Sequence, residues 1–110
     1  MDLTITKRAN TNEIEGLLRT TILLSPYQVE IFKIALPEFG REWRLNGIAV
    51  VREDEVLFSP HQTLEQMTSI VKEQQNKLID EFWNKYDEVE RIVKLVKNVL
   101  KVLKNHGAGE

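Results

Sequence analysis

The sequence predicts a mainly α fold, α+β only by a single β-hairpin, in which short N-terminal helices and the hairpin carry one long C-terminal helix. Three observations support this. Residues 63–104 contain neither Gly nor Pro and step their apolar residues at threes and fours. Two stretches, Ser25-Pro26-Tyr27-Gln28 and Ser59-Pro60-His61-Gln62, have the chemistry of helix starts. Two β-prone runs, Ile48 to Val51 and Val56 to Phe58, flank the charged tetrapeptide Arg52-Glu53-Asp54-Glu55.

Leu3 and Ile5 alternate with Thr4 and Thr6, the pattern of a short edge strand or an extended arm. Asn10-Thr11-Asn12-Glu13 then sets a capping residue three before a Glu. Ile14, Leu17, Leu18 and Ile22 follow at helical spacing, so a first helix is expected from about Thr11 to Leu23. In the second helix start, Ser25 caps, Pro26 occupies a position where its missing N–H costs nothing, and Gln28 closes a capping box. The helix that follows, Pro26 to Leu36, should stop or kink at Pro37. A further helical turn over Glu38 to Trp43 ends near Asn46-Gly47, and a two-stranded hairpin near 47–58 turns through a four-residue loop.

The long helix is the dominant element, roughly 60 Å from end to end. Leu64, Met67, Val71, Leu78, Phe82, Tyr86, Val89, Val93, Val96, Leu100 and Leu103 form one seam, broken only at Gln74-Gln75. Ile70, Ile79, Trp83, Ile92, Val99 and Val102 widen it. Such a face is too long for about 60 preceding residues to cover, which implies a helical bundle or coiled-coil dimer. The expected interface is Leu78, Phe82, Trp83, Tyr86, Val89, Val93, Val96 and Leu100. Charge along the helix is segregated. Asp80, Glu81, Asp87, Glu88 and Glu90 face only Lys85 in the middle, whereas Arg91, Lys94, Lys97, Lys101 and Lys104 have no acidic residue among them. An antiparallel second copy would set basic end against acidic middle. The plainer explanation is that terminal lysines complement the helix dipole, and an anionic ligand is a third.

The chain has 110 residues, 42% hydrophobic and 29% charged, with a net charge of −2 and no cysteine. One domain is expected: a compact unit over 1–60, the long helix over 61–105 and a frayed tail over 106–110. The absence of cysteine excludes disulfides, thiol catalysis and thiolate zinc sites. No apolar run is long enough to span a membrane and the N-terminal residues lack a signal core, so the cytoplasm is the default location. His61 and His106, the only histidines, have no i, i+4 partner, and no glycine-rich phosphate loop exists. Ser25 and Ser59 are caps rather than nucleophiles. No catalytic, cofactor or metal site is predicted, and the chain reads as a non-enzymatic interaction protein. Its expected partner is a second copy or another protein.

The order of short helices, hairpin and long terminal helix resembles that of small dimeric winged-helix DNA-binding proteins, whose last helix makes the dimer. That resemblance implies a DNA-binding regulator as the alternative reading. Its contacts would be Arg41, Arg44 and Arg52 near the hairpin and Lys94, Lys97, Lys101 and Lys104 on the helix. The acidic tip Glu53-Asp54-Glu55 opposes it, because a wing must approach phosphate. An amphipathic membrane-surface helix over 91–104 is disfavoured by its lack of aromatic anchors.

Overall fold

A computed structural model describes residues 2–9, 12–40 and 42–108, with side chains to Lys104. Its chain order is β1 (Asp2–Lys7), β2 (Ile14–Leu23), α1 (Pro26–Phe39), β3 (Arg44–Asn46), β4 (Ala49–Phe58) and α2 (Leu64–Ala108). The strands form one antiparallel sheet in the order β1-β2-β4-β3. The fold is therefore α+β with a four-stranded sheet, which corrects the expected mainly α fold with a two-stranded hairpin. The element order behind the winged-helix resemblance is not the observed one.

Three local corrections account for the difference. The sequence predicts a helix over residues 11–23, but Ile14–Leu23 is a strand, and Thr11 lies outside the described residues. Gly16, Leu18, Thr20 and Ile22 alternate into the core while Leu17, Arg19, Thr21 and Leu23 face out. The apolar positions satisfied both periods, but β-branched Thr20, Thr21 and Ile22 favour the strand. Gly16 also fits closely packed neighbours, since a Cβ there would lie 2.9 Å from Leu3 Cδ1. Leu3, on β1, pairs in register with Leu18, so the expected edge strand is present.

The charged tetrapeptide 52–55 is not a hairpin loop. It runs through the middle of β4, which pairs with β2 from Ile14↔Phe58 to Leu23↔Ala49. A strand tolerates these charges because Glu55 is exposed and the other three find partners. Glu53, on the outer face, is bridged by Arg19 at 3.5 Å and Arg44 at 3.3 Å. Inward-facing Arg52 reaches Asp54 at 3.2 Å and Glu81 on α2 at 2.9 Å, and Gln74 Nε2 donates to Asp54 at 3.1 Å. The hairpin that does exist joins β3 to β4 through Gly47-Ile48, with Gly47 at φ 63°. Glycine adopts that left-handed geometry without steric cost, and the first central position of a two-residue hairpin turn requires it.

The third correction concerns helix ends. The Ser25 capping box forms as expected, Gln28 N–H donating to Ser25 Oγ at 3.3 Å and Ser25 N–H to Gln28 Oε1 at 2.8 Å. The helix does not stop before Pro37 but continues through it to Phe39. In the last turn the proline frees only the carbonyl of exposed Lys33, which water can satisfy. Helix α2 opens at Thr63 rather than Ser59. Thr63 and Gln66 exchange reciprocal bonds at 3.0 and 3.2 Å, and Ser59 with Gln62 makes a separate turn just before.

The core lies between the inner sheet face and the two helices. Leu18, Ile22, Val50, Val56 and Phe58 of the sheet meet Ile31, Phe32, Ala35 and Phe39 of α1 and Val71, Leu78 and Phe82 of α2. Trp43 closes this core 5.1 Å from the Phe82 ring, with the Arg52 guanidinium over its face. The molecule measures 73 × 24 × 20 Å, and its radius of gyration is 19.8 Å. A globule of this length would have a radius of about 13 Å. The excess comes from α2, which leaves the head and continues alone.

Candidate functional site

The point of departure is sharp. Among the described side chains of α2, Val93 is the last that is buried, and every one from Lys94 to Lys104 is exposed. The projecting part, residues 94–108, is about 22 Å long. The exposed apolar strip begins just before this point, at Ile92. Ile92, Leu95, Val96, Val99, Leu100, Val102 and Leu103 are each 50–64% exposed. Arg91, Lys94, Lys97, Asn98, Lys101 and Lys104 occupy the rest of the helix surface. An amphipathic helix normally has its apolar stripe on a core. Here the stripe continues past the core, and a contiguous exposed patch of this kind marks an interaction surface.

Where α2 passes α1, the two helices enclose an open groove of about 460 Å³. Its floor is apolar, formed by Ile34 and Ala35 of α1 and by Val89, Ile92, Val93, Val96 and Leu100 of α2. Its rim is charged, with Glu38, Glu88, Lys85 and Lys97. Lys85 is spent on Glu88 at 3.7 Å. Glu38, Lys97, Lys101 and Lys104 have no ionic partner among the described residues.

Beside the groove, Tyr86, Glu90 and Lys94 form a ladder one turn apart. Lys94 Nζ lies 2.8 Å from the Glu90 carboxylate. Hydrogen bonding to Lys94 holds the Glu90 carboxyl below its usual range, and the same bond raises the Lys94 ammonium. Burial, and then the neighbouring Glu90 carboxylate, push the Tyr86 hydroxyl far above the ordinary tyrosine range. That hydroxyl and Thr20 Oγ1 are buried with no well-formed hydrogen bond among the described residues.

The residues singled out from the sequence fall into separate groups. Leu78, Phe82, Tyr86, Val89 and Val93 are buried by their own chain, Trp83 is half-buried at the edge of the aromatic cluster, and Val96 and Leu100 are exposed on the strip. Arg44 is tied to Glu53 on the outer sheet face. Arg52 is held inside by Asp54, Glu81 and, at 3.7 Å, Glu42. Lys94 is engaged with Glu90, and Lys97, Lys101 and Lys104 lie on the projecting helix. Arg41 lies outside the described residues. The structure thus does not gather the candidate cations into one patch. Ile34 and Glu38 of α1 belong to the groove and had no signal in sequence, because only the tertiary packing of α1 on α2 brings them there.

Among the described residues, no three His, Asp or Glu side chains cluster as metal ligands, and no helix is long and apolar enough to cross a membrane. The chain matches no protein-family model, no curated protein and no solved structure.

Proposed function

We propose that this protein is a non-enzymatic interaction module that self-associates through the projecting end of α2. One observation carries the reading: seven apolar side chains between Ile92 and Leu103 stay 50–64% exposed on a helix that the rest of the chain does not cover. Burying them against a second copy removes that surface from water at about 25 cal/mol per Å². The contact surface is Ile92, Val96, Val99, Leu100 and Leu103, with the apolar groove beside α1 adjoining it. Leu78 to Val93 of the expected interface act from beneath, as the core that holds α2 rigid. A rigid helix loses little conformational entropy on docking, which favours affinity.

Sedimentation equilibrium tests this. The wild type should run as two chains of 12.8 kDa at micromolar concentrations. The double variant Val96→Asp/Leu100→Asp should be monomeric with unchanged secondary structure, because both positions are exposed in the single chain. A wild type that stays monomeric at about 100 µM, well above the dissociation constants of standard-sized interfaces, refutes the proposal.

A further inference from the structure

We infer that the two copies pair antiparallel, each laying its basic helix end into the other's groove between α1 and α2. The inference rests on the self-association proposed above and adds its geometry. Three features point to it.

First, the groove and the helix end are complementary. The groove has an apolar floor at Ile34, Val89 and Ile92, with the carboxylates of Glu38 and Glu88 at its rim. The projecting helix offers Val96, Leu100 and Leu103 with Lys97 and Lys104 alongside, and it carries no acidic residue from Arg91 to Lys104.

Second, the charge order along α2 distinguishes the two directions. Residues 80–90 hold five carboxylates and one lysine, whereas residues 91–104 hold five cations. A parallel pair sets each block beside its own copy, and like charges in register repel. An antiparallel pair crossing near Ile92 sets each basic block beside the partner's acidic one. At an interhelical spacing of 8–10 Å the two blocks lie within about one Debye length at physiological salt.

Third, the arrangement closes. A two-fold axis near Ile92 lets both ends dock at once, so each copy gives one helix end and receives one, the isologous form that stops at a dimer. The overlap runs over about 25 residues of α2, roughly 38 Å.

Charge reversal on the two sides of the contact tests the geometry. Glu38→Lys puts a cation on the groove rim, and Lys97→Glu/Lys104→Glu puts anions on the entering helix. All three positions are exposed, so both variants keep the fold, which circular dichroism verifies. Each variant alone should dimerise about tenfold more weakly than wild type. An equimolar mixture should dimerise several-fold more tightly than either variant alone, because one contact of the mixed dimer is wild-type and the other sets the cation introduced at position 38 against the introduced anions. A spin label on Lys77→Cys, in a chain with no native cysteine, supplies an independent readout. The two labels should be more than about 40 Å apart in an antiparallel dimer and within about 25 Å in a parallel one.

A wild-type dimer with no recovery on mixing, or with the short label distance, overturns the antiparallel groove contact and leaves self-association standing. A wild type that is monomeric at about 100 µM overturns both. If that monomer floats with vesicles containing phosphatidylserine, the strip belongs to a lipid surface instead.

Discussion

Arg52, facing inward from the middle of β4, hydrogen-bonds the Glu81 carboxylate on α2 at 2.9 Å. With its side chain only 14% exposed, the same guanidinium also holds Asp54 at 3.2 Å. Glu81 is 61% exposed, so the two ends of the bond are not equivalent. Arg52→Ala leaves Asp54 partly buried with Gln74 as its remaining partner, and should cost about 2–3 kcal/mol. Glu81→Ala removes an exposed partner and should cost less than about 1 kcal/mol. Urea denaturation of both variants checks this, and equal losses would contradict the asymmetry.

Phe82 is fully buried at the meeting point of both helices and the sheet, with ring centroids of Trp43 at 5.1 Å and Phe32 at 5.7 Å. Phe82→Ala should cost about 3–5 kcal/mol, a large share of the stability of a single domain. Chemical denaturation showing a loss below about 1 kcal/mol would mean that Phe82 does not anchor α2 to the head.

Thr20 is fully buried on β2, opposite Arg52 in register, and its hydroxyl lacks a hydrogen-bond partner among the described residues. Valine has nearly the same shape and no polar atom to desolvate. Thr20→Val should therefore stabilise the fold by about 1 kcal/mol, measured as a rise in the denaturation midpoint. A loss of stability would mean that the hydroxyl has a partner, such as a buried water.

The Tyr86 hydroxyl has its folded-state pKa raised by burial and by Glu90. Folding therefore favours the neutral phenol. This contribution is complete below the unfolded value of about 10 and is lost as pH rises through and above it. Stability should fall on the alkaline side, and Tyr86→Phe should lessen that fall while costing little at neutral pH. For Glu90 the sign is opposite. Its depressed pKa makes the Lys94 contact a contribution present above the usual carboxylate range and lost as pH drops below it. Midpoints for wild type and Tyr86→Phe at pH 7 and pH 10.5 decide the first point. Parallel declines would remove Tyr86 as its source.

How much of this was legible in the sequence depended on whether one period fitted each stretch. Helix α2 was readable because residues 63–104 step their apolar positions at threes and fours without Gly or Pro. Strand β2 was not, because Ile14, Leu17, Leu18 and Ile22 fit a helix as well as a strand. The β-branched run Thr20-Thr21-Ile22 leans towards the strand, and its partners, Leu3 on one side and Val50 on the other, settle it. Strand β4 hid its continuity behind Arg52-Glu53-Asp54-Glu55, whose inward charges are tolerable only because Glu81 and Gln74 wait on α2. The glycine of the Gly47-Ile48 turn is visible in the sequence, but Asn46-Gly47 reads equally as a helix end. For the candidate site, the strip from Ile92 to Leu103 was plain in the sequence. Where the head stops covering α2 was not, because the reach of α1 and the sheet along that helix is a tertiary property.

Hydrogen exchange of the backbone amides from Lys94 to Lys104 tests the central claim most directly. These residues sit on a helix whose apolar side is uncovered in the single chain, so their protection reports whether something covers it. Association through the strip predicts that exchange in this segment slows as protein concentration rises from about 1 to 100 µM, across the range where interfaces of ordinary size assemble, while Leu78 to Val93 stay protected throughout. Fast exchange from Lys94 to Lys104 at every concentration would contradict it.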